Sequence, residues 1–561
     1  MKNKIFIVFV LSIIVFVGII TRFYKLGGSP SGLYLDEAAQ GYNAYSILKT
    51  GKDEFGKFFP IVFRSFTDFK TPVYIYLIVP LIPIFGLTKF TVRFPSFFFS
   101  ILTLPILFLL IRRIAPKKLS IYISLLTTLL LAISPWHILF GRTNFECNVA
   151  LSFFLTGIYF FYLGLEKPKN LIISAFMFAV AIPSYHSQRI VTPLTMLILF
   201  IENRKILLDQ IHKKFLLIGL AVGFIISLPT LSVVTTPGFL ARASGLNIFN
   251  ISKHLPAGTI TNYNGIFNFF VNSPLFLTTR EFLAIYLSYF SPRNMFLLGD
   301  SGLRSSFPEL STFFVWQFPF YIYGLYILIR DRSLKELRFF TIVLLLIAPI
   351  PAAVTRDPYS TIRALPLVIP QIIIISLGII YLFKKIKKPS VKYAYFLCAS
   401  IIIVYSLAKL YSSVIVLNEH FRGQEWNYGW EQVTNVIKTF NDNRQIVVDN
   451  SRSEPYSQLL FFLKFDPSTY QKDNFEVPLN QYYVNMNRNT IKKIGNIITR
   501  PVNWEIDLKK VEYLIGDELA ISYKQIREHN LELISEIKYP DGSIAFRIVK
   551  TPIAAHTPGV I

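Results

Sequence analysis

Apolar residues run through this chain in long blocks, most of them about 16–22 residues, separated by short polar stretches. That is the length a helix needs to cross a hydrocarbon core. The blocks are Ile5–Ile20, Phe90–Ile111, Leu119–Phe140, Val149–Leu165, Leu171–Tyr185, Ile190–Ile201, Phe215–Val234, Thr312–Ile329, Phe339–Val354, Ala364–Phe383 and Tyr393–Leu410. The pattern predicts an α-helical polytopic membrane protein with about 11 spans. Leu171–Tyr185 and Ile190–Ile201 are short for a bilayer and fit a hairpin that reaches part way. A further apolar stretch, Thr71–Leu87, carries Pro72, Pro80 and Pro83, each of which removes a helix hydrogen bond. It reads as a segment lying at the interface.

After Tyr411 the pattern changes. "YGWEQVTNVIKTF" and "SEPYSQLLFFLKF" have helical spacing, "QIVVDN" and "VEYLIGDE" read as strands, and "ELISEIKYPDGSIAFRIV" reads as a hairpin around Pro-Asp-Gly. The expected division is a transmembrane module over residues 1–412 and a small α/β domain over 413–561. Within the module, residues 21–89 form a first large loop with juxtamembrane helices. Residues 235–310 form a second, with a membrane-associated helix in "NSPLFLTTREFLAIYLSYFSPRN".

Charge sets the sidedness. Only 16% of residues are charged, against about 25% in soluble domains. The net charge is +24, yet its dense clusters are "RRIAPKK", "EKPK", "ENRK" with "HKK", "RDRSLKELR" and "KKIKK". All of them fall on one side when Thr71–Leu87 does not span, and that side is then cytoplasmic. The N-terminus is inside, with Ile5–Ile20 an uncleaved first helix. Both large loops and the C-terminal domain are outside the cytoplasm, the membrane being the plasma membrane. The basic balance is that of cytoplasmic loops, so nucleic acid is not a partner. The two cysteines, Cys147 and Cys398, make no disulfide framework or zinc spacing.

The candidate chemistry lies at the outer face. "GLYLDEAAQGYNAYSILKTG" follows the first span, with Asp36 and Glu37 at the start of an amphipathic helix whose face is Ala38, Tyr42, Tyr45 and Leu48 and whose stop is Gly51. Asp36 there is placed to cap the helix or to act as a base. Lys70 precedes the Pro-initiated segment, placed to snorkel or to bind a lipid phosphate. Arg142 and Glu146, spaced i, i+4, suit a helix salt bridge. Arg189, Arg304 and Arg363 lie at outer turns, each an interfacial anchor or an anion ligand. A transporter would carry ionisable groups at mid-bilayer on broken helices of repeated halves; neither is present. Acids and cations at one membrane face suit an enzyme acting on a lipid with a charged head.

"LDEA", "GYNAYSILKTG", "KTPVYIYL", "TVRFPSFFFSILTLPILFLLIRR" and "SPWHILFGRTNFE" occur in that order over the first 150 or so residues. In this the chain resembles the C-type (GT-C) membrane glycosyltransferases of family 39, the protein O-mannosyltransferase and lipid A aminoarabinose transferase branch. The resemblance implies transfer of a sugar, with inversion, from a polyprenyl-phosphate carrier to a protein, lipid or glycan acceptor on the outer face. It implies Asp36 as general base, Glu37 as its support or the fold's, Lys70 as a ligand of the carrier phosphate, and Glu146 as a second acid. Arg142 and Arg189, then Arg304 and Arg363, are the physical choices for the remaining phosphate ligands. No metal and no cofactor are implied. The alternatives are an oligosaccharide transferase or ligase of another GT-C branch, and a non-enzymatic lipid or sugar exporter.

Overall fold

The computed structural model describes residues 2–66, 68–240, 273–485 and 487–552, with positions 248, 265, 266 and 270 between them. Much of the second large loop therefore lies outside the described residues. The chain divides into two compact units. The first comprises Met1–Tyr24, Thr71–Tyr74 and Arg93–Val414; the second comprises Lys25–Lys70, Ile75–Val92 and Ile415–Ile561.

The first unit is helical. In lipid a backbone satisfies its own hydrogen bonds, so apolar runs become helices, and all eleven expected segments carry helix, although Leu119–Phe140 and Phe339–Val354 are each broken into two. Among the described residues seven helices are long and apolar enough to cross a membrane, or eight with the bent pair Ser120–Ala132 and Pro135–Arg142. That pair bends by 56°. Pro135 has no N–H to continue the first helix, and Ser134 caps the second by accepting from the His137 N–H. Asn170–Ser184 has 15 residues and rises about 22 Å, short of the roughly 30 Å core. Pro72–Phe85 is also too short to cross, as its prolines predict. The expected helix of the second loop is Pro274–Ser288. Two helices, Phe318–Arg330 and Val368–Lys385, touch backbone to backbone. A Cβ on Gly324 would sit 1.8 Å from the Ile374 carbonyl oxygen, and one on Gly378 would sit 1.9 Å from that of Phe320.

The second unit is built on a six-stranded mixed sheet: β3 (Ile446–Val448), β4 (Lys492–Ile494), β5 (Ile497–Thr499), β6 (Tyr513–Gly516), β7 (Glu532–Lys538) and β8 (Ile544–Lys550), in the order β4-β5-β3-β6-β8-β7. β3 is parallel to β5 and β6, while β7–β8 is the antiparallel hairpin read from the sequence. The β4–β5 hairpin, turned at Gly495 (φ 63°), was not evident from the pattern. Residues 21–89 were expected to belong with the helices. Most of them instead pack with the tail, because the Leu35–Thr50 helix is buried in the tail's core. Tyr42 shares that core with Trp430, Leu460 and Tyr470. Gly41 lies flat against Phe461 and Val92, and a Cβ there would be 2.6 Å from each. Ala38 and Tyr42 of the expected apolar face are buried, but Leu48 is exposed. Gly51 ends the helix at φ 70°, its N–H bonded to the Ile47 carbonyl.

Candidate active site

Two short strands of the second unit position the central pair. β1 (Phe63–Ser65) and β2 (Asp68–Lys70) are antiparallel, with Phe63 opposite Lys70 and Arg64 opposite Phe69. Lys70 thus ends a strand, and its Nζ lies 2.8 Å from Asp36 Oδ2. The Lys70 side chain is 9% exposed and that of Asp36 20%, so the pair is largely desolvated yet reachable. The capping role falls to the neighbouring acid: the Tyr34 N–H donates to Glu37 Oε2 at 3.0 Å, and Glu37 is fully buried. Asp36 is the second helical residue and turns to Lys70. The capping expected of Asp36 is therefore made by Glu37, while Asp36 makes the ion pair with Lys70.

The arginines sort differently from the sequence expectation. Arg142 and Glu146 do not share a helix: one helix ends at Arg142 and the next starts at Cys147, so their spacing makes no i, i+4 pair. Arg142 is buried and donates to the carbonyls of Thr21, Arg22 and Tyr24 at 2.8–3.1 Å. These are acceptors at the C-terminal end of the Lys2–Phe23 helix, where a cation is stabilising. Glu146 is buried beside the start of the next helix. Arg189 donates to the Phe239 carbonyl at 3.0 Å and lies 3.6 Å from the centre of its ring. Arg142 and Arg189, ranked first from the sequence, thus both donate to main-chain carbonyls.

Arg304 and Arg363 are on loops. Asp300 Oδ2 accepts from the Thr361 N–H (2.8 Å) and Oγ1–H (2.7 Å), and its Oδ1 accepts from the Gly302 N–H. One carboxylate so ties the loop bearing Arg304 to the loop bearing Arg363. Arg304 is exposed. Arg363 is half-buried, pairs with Asp357 (3.3 Å) and donates to Thr355 Oγ1. Arg356 and Tyr359 in that loop have φ of 53° and 51°, a strained arrangement held by its surroundings.

Sequence reasoning missed a buried polar cluster in the second unit. Asn43 Nδ2 donates to Glu54 Oε1 (2.8 Å), and the Glu54 N–H returns to Asn43 Oδ1 (3.0 Å). Burial pushes Glu54 up to about 8 and Asp53 up to about 6. Glu476 pairs with both Arg64 (3.4 Å) and Lys492. The one available signal was "KDEF", an acidic pair between Gly51 and Gly56. Among the described residues no group of three or more His, Cys, Asp or Glu side chains comes together as a metal site.

Residues 69–232 match the family model described as dolichyl-phosphate-mannose-protein mannosyltransferase. No curated protein matches the sequence. Among solved structures the chain is similar to ArnT from Cupriavidus metallidurans in the apo state, with TM-score 0.52 and 11% identity over 98% of both chains. The same protein bound to undecaprenyl phosphate matches at TM-score 0.51 and 11% identity, over 99% of this chain and 98% of that one. AglB from Archaeoglobus fulgidus, an archaeal oligosaccharyltransferase in complex with an inhibitory peptide and a dolichol-phosphate, matches at TM-score 0.51 and 12% identity, over 97% of this chain and 74% of that one. At such identities the likeness is one of fold. The expected fold is borne out: this is a multi-pass membrane protein of the GT-C fold.

Proposed function

We propose that the chain transfers a sugar from a polyprenyl-phosphate carrier to an acceptor hydroxyl outside the cytoplasm, with Asp36 as general base. The observation that carries this reading is the Asp36–Lys70 pair, 2.8 Å apart and mostly out of water. The match to a dolichyl-phosphate-mannose-dependent family model and the undecaprenyl phosphate bound by ArnT support a lipid-phosphate donor.

The chemistry follows from the two groups. The acceptor oxygen attacks the anomeric carbon as the bond from that carbon to the phosphate oxygen breaks. The acceptor proton passes to the Asp36 carboxylate and then to solvent. The carrier leaves as its phosphate, already a good leaving group, which needs charge stabilisation and no acid. An ammonium has three N–H donors. Asp36 takes one, and a phosphate oxygen is a fitting acceptor for another. Attack opposite the departing phosphate inverts the anomeric centre.

The test is purified protein with defined undecaprenyl-phosphate sugars and hydroxyl acceptors. Asp36→Asn should keep its fold and lose about 10²–10⁴-fold in rate; full activity in that variant would remove Asp36 as the base. The likeness to AglB favours a second reading, oligosaccharide transfer, and turnover only with a diphosphate-linked oligosaccharide would select it. Sidedness is tested by Ser453→Cys in a Cys398→Ser background, which an impermeant thiol reagent should label in intact cells.

A further inference from the structure

We propose that Tyr482, in the tail, is a positioning residue that sets Lys70 against Asp36. The proposal rests on the reading of Lys70 as the ligand of the carrier phosphate. β1 and β2 are three residues each, and a two-stranded ribbon of that size has no independent stability. What fixes it is therefore outside it, and it lies in the same unit.

The Tyr482 hydroxyl accepts from the Arg64 N–H at 2.7 Å and donates to Asp53 Oδ2. Its ring meets the Phe69 ring edge-on, with centroids 6.1 Å apart. Arg64 and Phe69 are partners across the ribbon, so one fully buried side chain grips both strands at the step next to Lys70. The neighbouring tail residues hold the same place. The Ile61 N–H donates to the Tyr483 hydroxyl at 3.0 Å, and the Arg64 guanidinium reaches the carbonyls of Asn485 and Asn487 and the Glu476 carboxylate. Asp53 is itself fixed by the Phe55 and Lys57 N–H groups. Removing the Tyr482 hydroxyl leaves the Arg64 N–H buried without an acceptor, a cost that loosening of the ribbon relieves.

The experiment measures Lys70 directly. The full-length protein is treated briefly with an amine-acylating reagent, and modification of Lys70 is read by peptide mass analysis. Lys70 in the parent protein should react slowly. Tyr482→Phe should raise its reactivity about tenfold, and Phe69→Leu, which removes the ring contact, should raise it less. Tyr523→Phe, whose hydroxyl donates to Glu536 on the β7–β8 hairpin, should match the parent. Parent-like protection of Lys70 in folded Tyr482→Phe and Phe69→Leu overturns the proposal; if Tyr482→Phe does not fold, Phe69→Leu decides. Binding of undecaprenyl phosphate separates the two readings. A five- to tenfold weakening in Tyr482→Phe, absent in a Lys70→Ala background, supports both. Raised Lys70 reactivity with unchanged phosphate binding leaves the positioning role standing and removes Lys70 from the donor site.

Discussion

Arg22 and Arg142 in the helical unit and Lys70 in the sheet unit are buried cations held in two different ways. In the helical unit, Arg22 and Arg142 face main-chain carbonyls. Arg22 donates to Gly18, Leu131 and Ala132, and Arg142 to the end of the first helix. In the unit built on the sheet, Lys70 faces Asp36 and Lys492 faces Glu476, while Arg64 is shared between Glu476 and the carbonyls of Asn485 and Asn487. A carbonyl at a helix end cannot leave, so a cation there serves the fold. A carboxylate can exchange its cation for a proton or yield it to a phosphate, so that kind of pair can take part in chemistry. This is why the proposed reaction is given to Asp36 and Lys70.

The comparison can be broken at its foundations first. A Cβ on Gly32 would lie 1.9 Å from the Trp426 carbonyl oxygen, a backbone atom with no rotamer to yield. Gly32→Val should cost the sheet unit more than about 4 kcal/mol, read as rapid proteolysis of residues 415–552 while the helical unit survives. Equal resistance to protease would mean that the first loop and the tail are not one body. Next is Arg142→Met, which strips three carbonyls of a charged donor. It should lower stability by about 3 kcal/mol or more, seen as a fall in Tm with undecaprenyl phosphate affinity unchanged in the protein that remains folded. A normal Tm with weakened phosphate binding would assign Arg142 to the site.

Lys70→Ala should weaken undecaprenyl phosphate binding by about 10–100-fold, a loss of about 1.4–2.7 kcal/mol, with little change in Tm. The contrast is sharpened further through pH. Glu54 is held at about 8 against an ordinary 4.5. Between those values the folded chain keeps a proton that the unfolded chain releases. Stability of the sheet unit therefore falls as pH rises from about 4.5 to about 8, by at most about 1.4 kcal/mol per pH unit. Asp53, held at about 6 against 3.8, acts in the same direction over the lower part of that range. Glu54→Gln should flatten the slope in denaturation series between pH 5 and 8. An unchanged slope would assign the titration elsewhere.

The helices were legible because lipid leaves an apolar run one option, and Pro72, Pro80 and Pro83 correctly marked the segment that stays short. Asp36 and Lys70 were legible as separate residues through the ordered motifs that carry the family resemblance. Their meeting was not, since it depends on a three-residue register. The bonds from Arg142 were not legible either, since main-chain carbonyls belong to every residue and no motif records them. The same blindness hid the union of the first loop with the tail. The tight approaches at Gly32 and Gly41 are tertiary facts, and a glycine in sequence does not say what it lies against.

The ribbon that carries Lys70 has a further consequence. Only two residues separate Ser65 from Asp68, and the first of them, Phe66, turns at φ 51°. Side chains alternate faces along a strand, so lengthening or shortening that connection by one residue would send the ammonium to the opposite side of the pleat. Variation in the length of this turn should therefore be far less tolerated than variation in its composition, and a chain of this fold with a different spacing here would have to supply its cation from somewhere else.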